Sequence, residues 1–127
     1  MPITMRVDHE RRQIDAVAVG PISYAEIERH LVEERCFHGL AYKEFMDARY
    51  ATPAFVLYAY EIRKVVALMR SLSKESKLGP TAILVGNEFA LGVVHMLEIF
   101  LEDAAELKAF RDEDDARAWL ATRPAPA

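Results

Sequence analysis

The stretch from Thr81 to Leu101 constrains the fold of this chain most. Thr81-Ala82-Ile83-Leu84-Val85 is a short, unbroken apolar run; Gly86-Asn87 follows, and then Phe89 to Leu101, which is apolar nearly all round. A run without polar alternation predicts a central strand covered on both faces, as in a parallel sheet. Gly86-Asn87 ends that strand, and the Asn side chain can cap the next helix, Glu88 to about Glu102, by accepting from its free amides. A helix with no polar face has to be covered everywhere. The sheet covers one side, and the other needs a second helix, a ligand, a subunit or a membrane surface. Packing against the second helix is the expected cover.

The rest of the chain fits around that unit. Ile3–Val7 and Ile14–Val19 read as two strands joined by the charged hairpin Asp8-His9-Glu10-Arg11-Arg12. The second strand alternates, with Ile14, Ala16 and Ala18 on one face and Asp15, Val17 and Val19 on the other. Gly20-Pro21 stops it, and Ser23-Tyr24-Ala25-Glu26 has the form of a capping box for a helix reaching about Arg35. Lys43–Ala48 reads as a third strand with Phe45 inward. An extended segment to about Tyr58 is expected next, then a helix to about Leu72 with Ile62, Val65, Val66, Met69 and Leu72 as its buried stripe. After Thr81–Leu101 come a last short strand, Leu107–Phe110, and a helix opened by Asp112-Glu113-Asp114-Asp115, where acids favour the helix dipole. The order β-β-α-β-α-β-α-β-α predicts an α/β fold with crossover connections and a mostly parallel central sheet. The expected domain spans residues 3–121, with 122–127 as a flexible tail.

Composition narrows the function. A chain of 127 residues can bury a core of its own, and a net charge of −4 argues against a nucleic-acid partner, which needs a basic face. Cys36 is the only cysteine, so no intrachain disulfide forms. Met1–Arg6 lacks the apolar core of a signal peptide, and Phe89–Leu101 is too short to span a bilayer. A cytoplasmic location is the expectation.

Particular residues carry a resemblance. Ala109-Phe110-Arg111-Asp112-Glu113-Asp114-Asp115-Ala116-Arg117-Ala118-Trp119-Leu120 resembles the closing "FRD, acids, A-x-x-W-L" signature of SpoIIAA-like proteins, a branch of the STAS (anti-sigma-factor antagonist-like) superfamily. Leu91–Glu98 is similar to their third-helix pattern, and Phe45-Met46-Asp47-Ala48-Arg49 to their "D-x-R" segment. The resemblance implies the STAS-like fold and little about activity, because one fold hosts many functions. It also implies, by kinship with members thought to hold apolar ligands or to associate with membranes, a similar role here. Two departures matter. Where anti-sigma-factor antagonists carry a phosphorylated serine, this chain reads Leu57-Tyr58-Ala59-Tyr60-Glu61, so that switch is not expected. His95 stands where the third-helix pattern has arginine.

No catalytic apparatus emerges from the sequence. His9, His30, His38 and His95 are scattered, Cys36 and His38 alone do not complete a metal site, and neither a G-x-S-x-G elbow nor a phosphate-cradling loop is present. The expectation is a non-enzymatic STAS-like module, with no cofactor and no metal, that binds an apolar small molecule or lipid between the second and third helices. Phe55, Leu57, Tyr58, Tyr60, Phe89 and Val93 are the candidate wall, since tyrosines bury a ring and keep a polar tip. Arg63, Lys64, Arg70, Lys74 and Lys77 gather basic charge suited to anionic head groups at a peripheral membrane contact. The alternative is a regulatory module meeting a protein partner near Tyr58. The third helix also gives a homodimer area to bury.

Overall fold

The computed structural model describes residues 2–35, 41–54, 59–75 and 78–124. Five strands form one sheet in the order β1-β2-β3-β4-β5: β1 Ile3–Asp8, β2 Gln13–Ile22, β3 Lys43–Pro53, β4 Thr81–Val85 and β5 Leu107–Phe110. β1 and β2 are antiparallel, and every later neighbour is parallel. The β1–β2 turn leaves Arg12 at φ 54°, with the Arg11 amide donating to Asp8 Oδ1 at 3.0 Å. That is the left-handed residue that closes a longer hairpin loop.

Helix α1 (Tyr24–Glu28) continues as a π-helical stretch, Arg29–Arg35. Helix α2 is Ala59–Glu75, α3 Glu88–Leu101 and α4 Glu113–Thr122. The caps at Ser23 and Asn87 fall where expected, and Asp112 supplies a third. The Ser23 hydroxyl accepts from the Glu26 amide, Asn87 Oδ1 from the Ala90 amide and Asp112 Oδ1 from the Asp115 amide. The Glu26 carboxylate, expected to reach back to Ser23, is instead held by the Arg29 guanidinium at 3.3 Å.

Helices α1, α2 and α3 share one face of the sheet. Their core includes Leu31, Ile62, Val65, Met69, Val93, Val94 and Leu97 with Val85, Leu107 and Ala109 from the strands. Helix α4 lies on the other face, where Ala116 and Leu120 pack on Phe45, Ala82 and Leu84, and Lys43 Nζ donates to the Leu120 carbonyl at 2.9 Å. Thus β4 is covered on both faces, as its unbroken apolar run predicts.

β3 runs past Ala48 to Pro53, into the segment expected to be extended, and one feature of it was not anticipated: its pairing with β2 shifts between Val17 and Val19. Val17 pairs with Asp47 and Val19 with Tyr50, so Ala18 faces two residues, Ala48 and Arg49. This bulge bends the strand and turns the Arg49 carbonyl toward Gly86, where a Cβ would collide with it. The expected extended segment after Arg49 is seen as strand only to Pro53; residues 55–58 lie outside the described residues.

Candidate functional site

A cavity of about 160 Å³ lies between the sheet and helices α1–α3. Its floor is Ala18, Met46, Ala48, Ala51 and Ile83 from the strands, and its roof includes Ile27, Leu31, Val65, Met69, Ala90 and Val93. The reason it exists is local. Side chains facing a helix layer at the centre of a parallel sheet are normally large and fully buried. Here β2 and β3 offer alanines at those positions, so Met46, Ala48 and Ile83 are only half-buried although they sit on the central strands. The β2–β3 bulge falls at Ala18 and Ala48, two of the cavity's own residues.

One end of the cavity is polar. Glu44 and Thr81 pair at the start of β3 and β4, and His30 and Arg35 reach them from the π-helical stretch. All four side chains are buried. Glu44 Oε2 accepts from His30 Nε2 at 2.7 Å, and Glu44 Oε1 lies 3.0 Å from Arg35 Nη1. Arg35 also donates to Thr81 Oγ1 at 3.2 Å and to the Tyr42 carbonyl at 2.8 Å, while the Thr81 hydroxyl donates to the Gly79 carbonyl at 3.1 Å. Burial by itself would raise the Glu44 carboxyl, but the charges of His30 and Arg35 and the hydrogen bond from His30 outweigh it and hold the group below the usual carboxylate range. Glu44 is therefore an acceptor only, so His30 Nε2 carries the proton between them.

The π winding makes this cluster possible. In an α-helix, residues five apart point roughly 140° away from each other. Winding with i→i+5 hydrogen bonds brings them onto one side, so His30 and Arg35 both face Glu44.

Of the expected wall residues, Val93 lines the cavity. Tyr60 and Phe89 lie on the outer surface, 70% and 55% exposed, and are not among the lining residues described. Phe55, Leu57 and Tyr58 lie outside the described residues. The space is also placed differently from expectation: it sits under three helices against the sheet rather than between the second and third. Small side chains, rather than the larger aromatic ones, make the space.

The outer side of α3 differs from expectation too. Helix α2 does pack beside it, yet Phe89, Met96, Ile99 and Phe100 remain exposed, forming an apolar stripe along α3. Arg63 and Lys74 are exposed on α2, and Arg70 is tied to Asp103 at 3.0 Å. Lys64 lies over the Tyr24 ring at 4.2 Å, and Lys77 lies outside the described residues. His95 lies 3.7 Å from Glu98, and no group of three metal-ligating side chains occurs among the described residues. No described helix is long and apolar enough to cross a membrane.

No protein-family model matches the chain. A 23S rRNA (uracil(1939)-C(5))-methyltransferase, RlmD, of Pseudomonas putida is 35% identical over 66 residues. The match takes in 52% of this chain but only 15% of that enzyme's length. Among solved structures, an uncharacterized protein of the DUF3478 family from Shewanella loihica PV-4, with a SpoIIAA-like fold, superposes with a TM-score of 0.61 at 20% identity. That likeness covers 93% of both chains, and at such identity it speaks for fold alone. The five-stranded, mostly parallel sheet with three helices on one face and one on the other is a SpoIIAA-like fold.

Proposed function

We propose that this chain is a non-enzymatic SpoIIAA-like module that takes an apolar small molecule or lipid into the cavity between its sheet and helices α1–α3. The observation that carries this reading is the half-buried state of Met46, Ala48 and Ile83 at the centre of the sheet. Interiors pack to crystal-like density, and apolar surface left accessible at the centre of the sheet is unfavourable unless something covers it. The lining is apolar apart from the polar cluster, whose charged groups pair with one another, so most of its surface offers shape and dispersion rather than hydrogen bonds. Nothing in that cluster resembles a nucleophile with a base partner.

Native mass spectrometry of the purified protein tests the reading. The expected result is a bound apolar molecule that is lost in the variant Ala48→Leu, which fills the floor. A wild-type mass without added ligand, together with no binding of any apolar probe, would overturn it.

A second reading, contact with a membrane surface or a regulatory protein partner, is favoured by the α3 stripe beside the basic residues of α2. Exposed apolar patches with a basic border suit anionic lipid surfaces. Flotation with phosphatidylserine vesicles, compared with retention of a partner on immobilised protein, separates the two.

A further inference from the structure

We infer that the cavity selects a compact, uncharged apolar molecule about the size of one aromatic ring, and rejects both charged analogues and long acyl chains. This rests on the reading that the cavity is a ligand site, and it narrows what that ligand can be. Three observations carry it.

The first is volume. At about 160 Å³ the space is close to an engineered cavity of roughly 150 Å³ that binds benzene. It falls well under the roughly 300–1,000 Å³ of pockets that hold drug-sized ligands.

The second is the state of the charges at the polar end. The basic side chains among the described lining residues are those of His30 and Arg35, and both are committed to Glu44. Arg35 is further held by Thr81 and by the Tyr42 carbonyl. An entering carboxylate would leave water and lie near the ionised Glu44 with no uncommitted cation described to meet it. An ammonium fares no better, because Glu44 is already paired with the Arg35 guanidinium, whose charge would repel a second cation brought beside it. Breaking the cluster to pair with the ligand would strand a buried charge.

The third is the shape of the floor. The space is formed where the small side chains of Ala18, Ala48 and Ala51 stand around the β2–β3 bulge, so it is a local gap in packing bordered by Leu31, Val65 and Val93. A gap left by three short side chains fits a compact molecule better than an extended chain.

Four probes, each titrated calorimetrically and by thermal unfolding, separate the terms: toluene, benzoate, benzylamine and methyl palmitate. Toluene at ten times its Kd should raise Tm by about 5 °C. Benzoate and benzylamine should bind at least tenfold more weakly, and methyl palmitate should give no shift. Ala48→Leu should abolish the toluene response while keeping the native circular dichroism. If that variant does not fold, Ala18→Val, together with the position of xenon in a pressurised crystal, makes the same assignment. Benzoate or benzylamine binding as tightly as toluene, or methyl palmitate binding in an Ala48-dependent way, would overturn the selectivity and leave the cavity a ligand site. Silence from all four probes with no molecule retained by the purified protein would overturn both. Xenon or toluene found only outside the cavity would do the same.

Discussion

Glu44 is the residue on which most of the interior electrostatics turn. It is fully buried, yet His30 and Arg35 keep it ionised. Removing one partner of a buried ion cluster leaves an uncompensated charge, which typically costs about 3–5 kcal/mol. Arg35→Leu is therefore expected to lower the denaturant midpoint sharply, with the slope of the transition unchanged. The pH dependence has a definite sign. The folded group titrates below its ordinary value of 4.5, so its contribution is complete at neutral pH and is lost as pH falls through and below that value. Urea unfolding across pH 7 to 3 should show this loss in the wild type, and Glu44→Gln should flatten the profile as well as lower stability at pH 7. Ala48 shows the opposite behaviour. Filling a void with apolar atoms removes the cavity penalty, so Ala48→Leu should raise stability by up to about 1–2 kcal/mol if the leucine finds a relaxed rotamer. A loss instead would mean that the space is too shallow for it.

At the scale of elements, the strands and helices were legible because periodicity and caps are local. Ser23 and Asn87 cap the helices they were expected to cap, the acids at Asp112–Asp115 open the last helix as expected, and Thr81–Val85 is the doubly covered strand its unbroken run implies. The cavity was not legible for a physical reason: it is made by what is missing. Ala16 and Ala18 were placed correctly on one face of β2, but only the pairing with β3 shows that Ala48 and Ala51 lie over the same space. The signal available was the run of alanines at inward positions of strands, which alanine does not favour. The polar cluster was hidden differently. Its members come from three elements, and His30 and Arg35 converge only because Arg29–Arg35 winds as a π-helix, which no cap or period announces. The clue was Glu44 itself, a carboxylate on the inward face of a central strand. One element-scale prediction concerns the β3 bulge. Gly86 lies against the Arg49 carbonyl, so Gly86→Ala should force the two segments apart and destabilise the fold by about 1–3 kcal/mol, measured by equilibrium unfolding.

At the scale of the whole molecule, apolar surface is unevenly distributed. Ile99 is 69% exposed, and with Phe89, Met96 and Phe100 it makes α3 the helix whose apolar stripe faces outward as well as inward. If that stripe meets lipid, Ile99→Ser with Phe100→Ser should reduce flotation with anionic vesicles severalfold. Folding stability should be little altered, since these side chains contribute little to the core. Added salt should weaken the wild-type interaction only in part, because the apolar contribution is not screened.

The two faces of the sheet are also completed at different times. The three crossover helices are interleaved with the strands they cover, whereas Phe45, Ala82 and Leu84 depend on α4, which follows β5. While the ribosome is still extending the chain, that half of the core stays bare until about residue 122 has emerged. Released chains ending at residue 111 should therefore be bound by chaperones and cleaved readily by protease, and chains that include α4 should resist both.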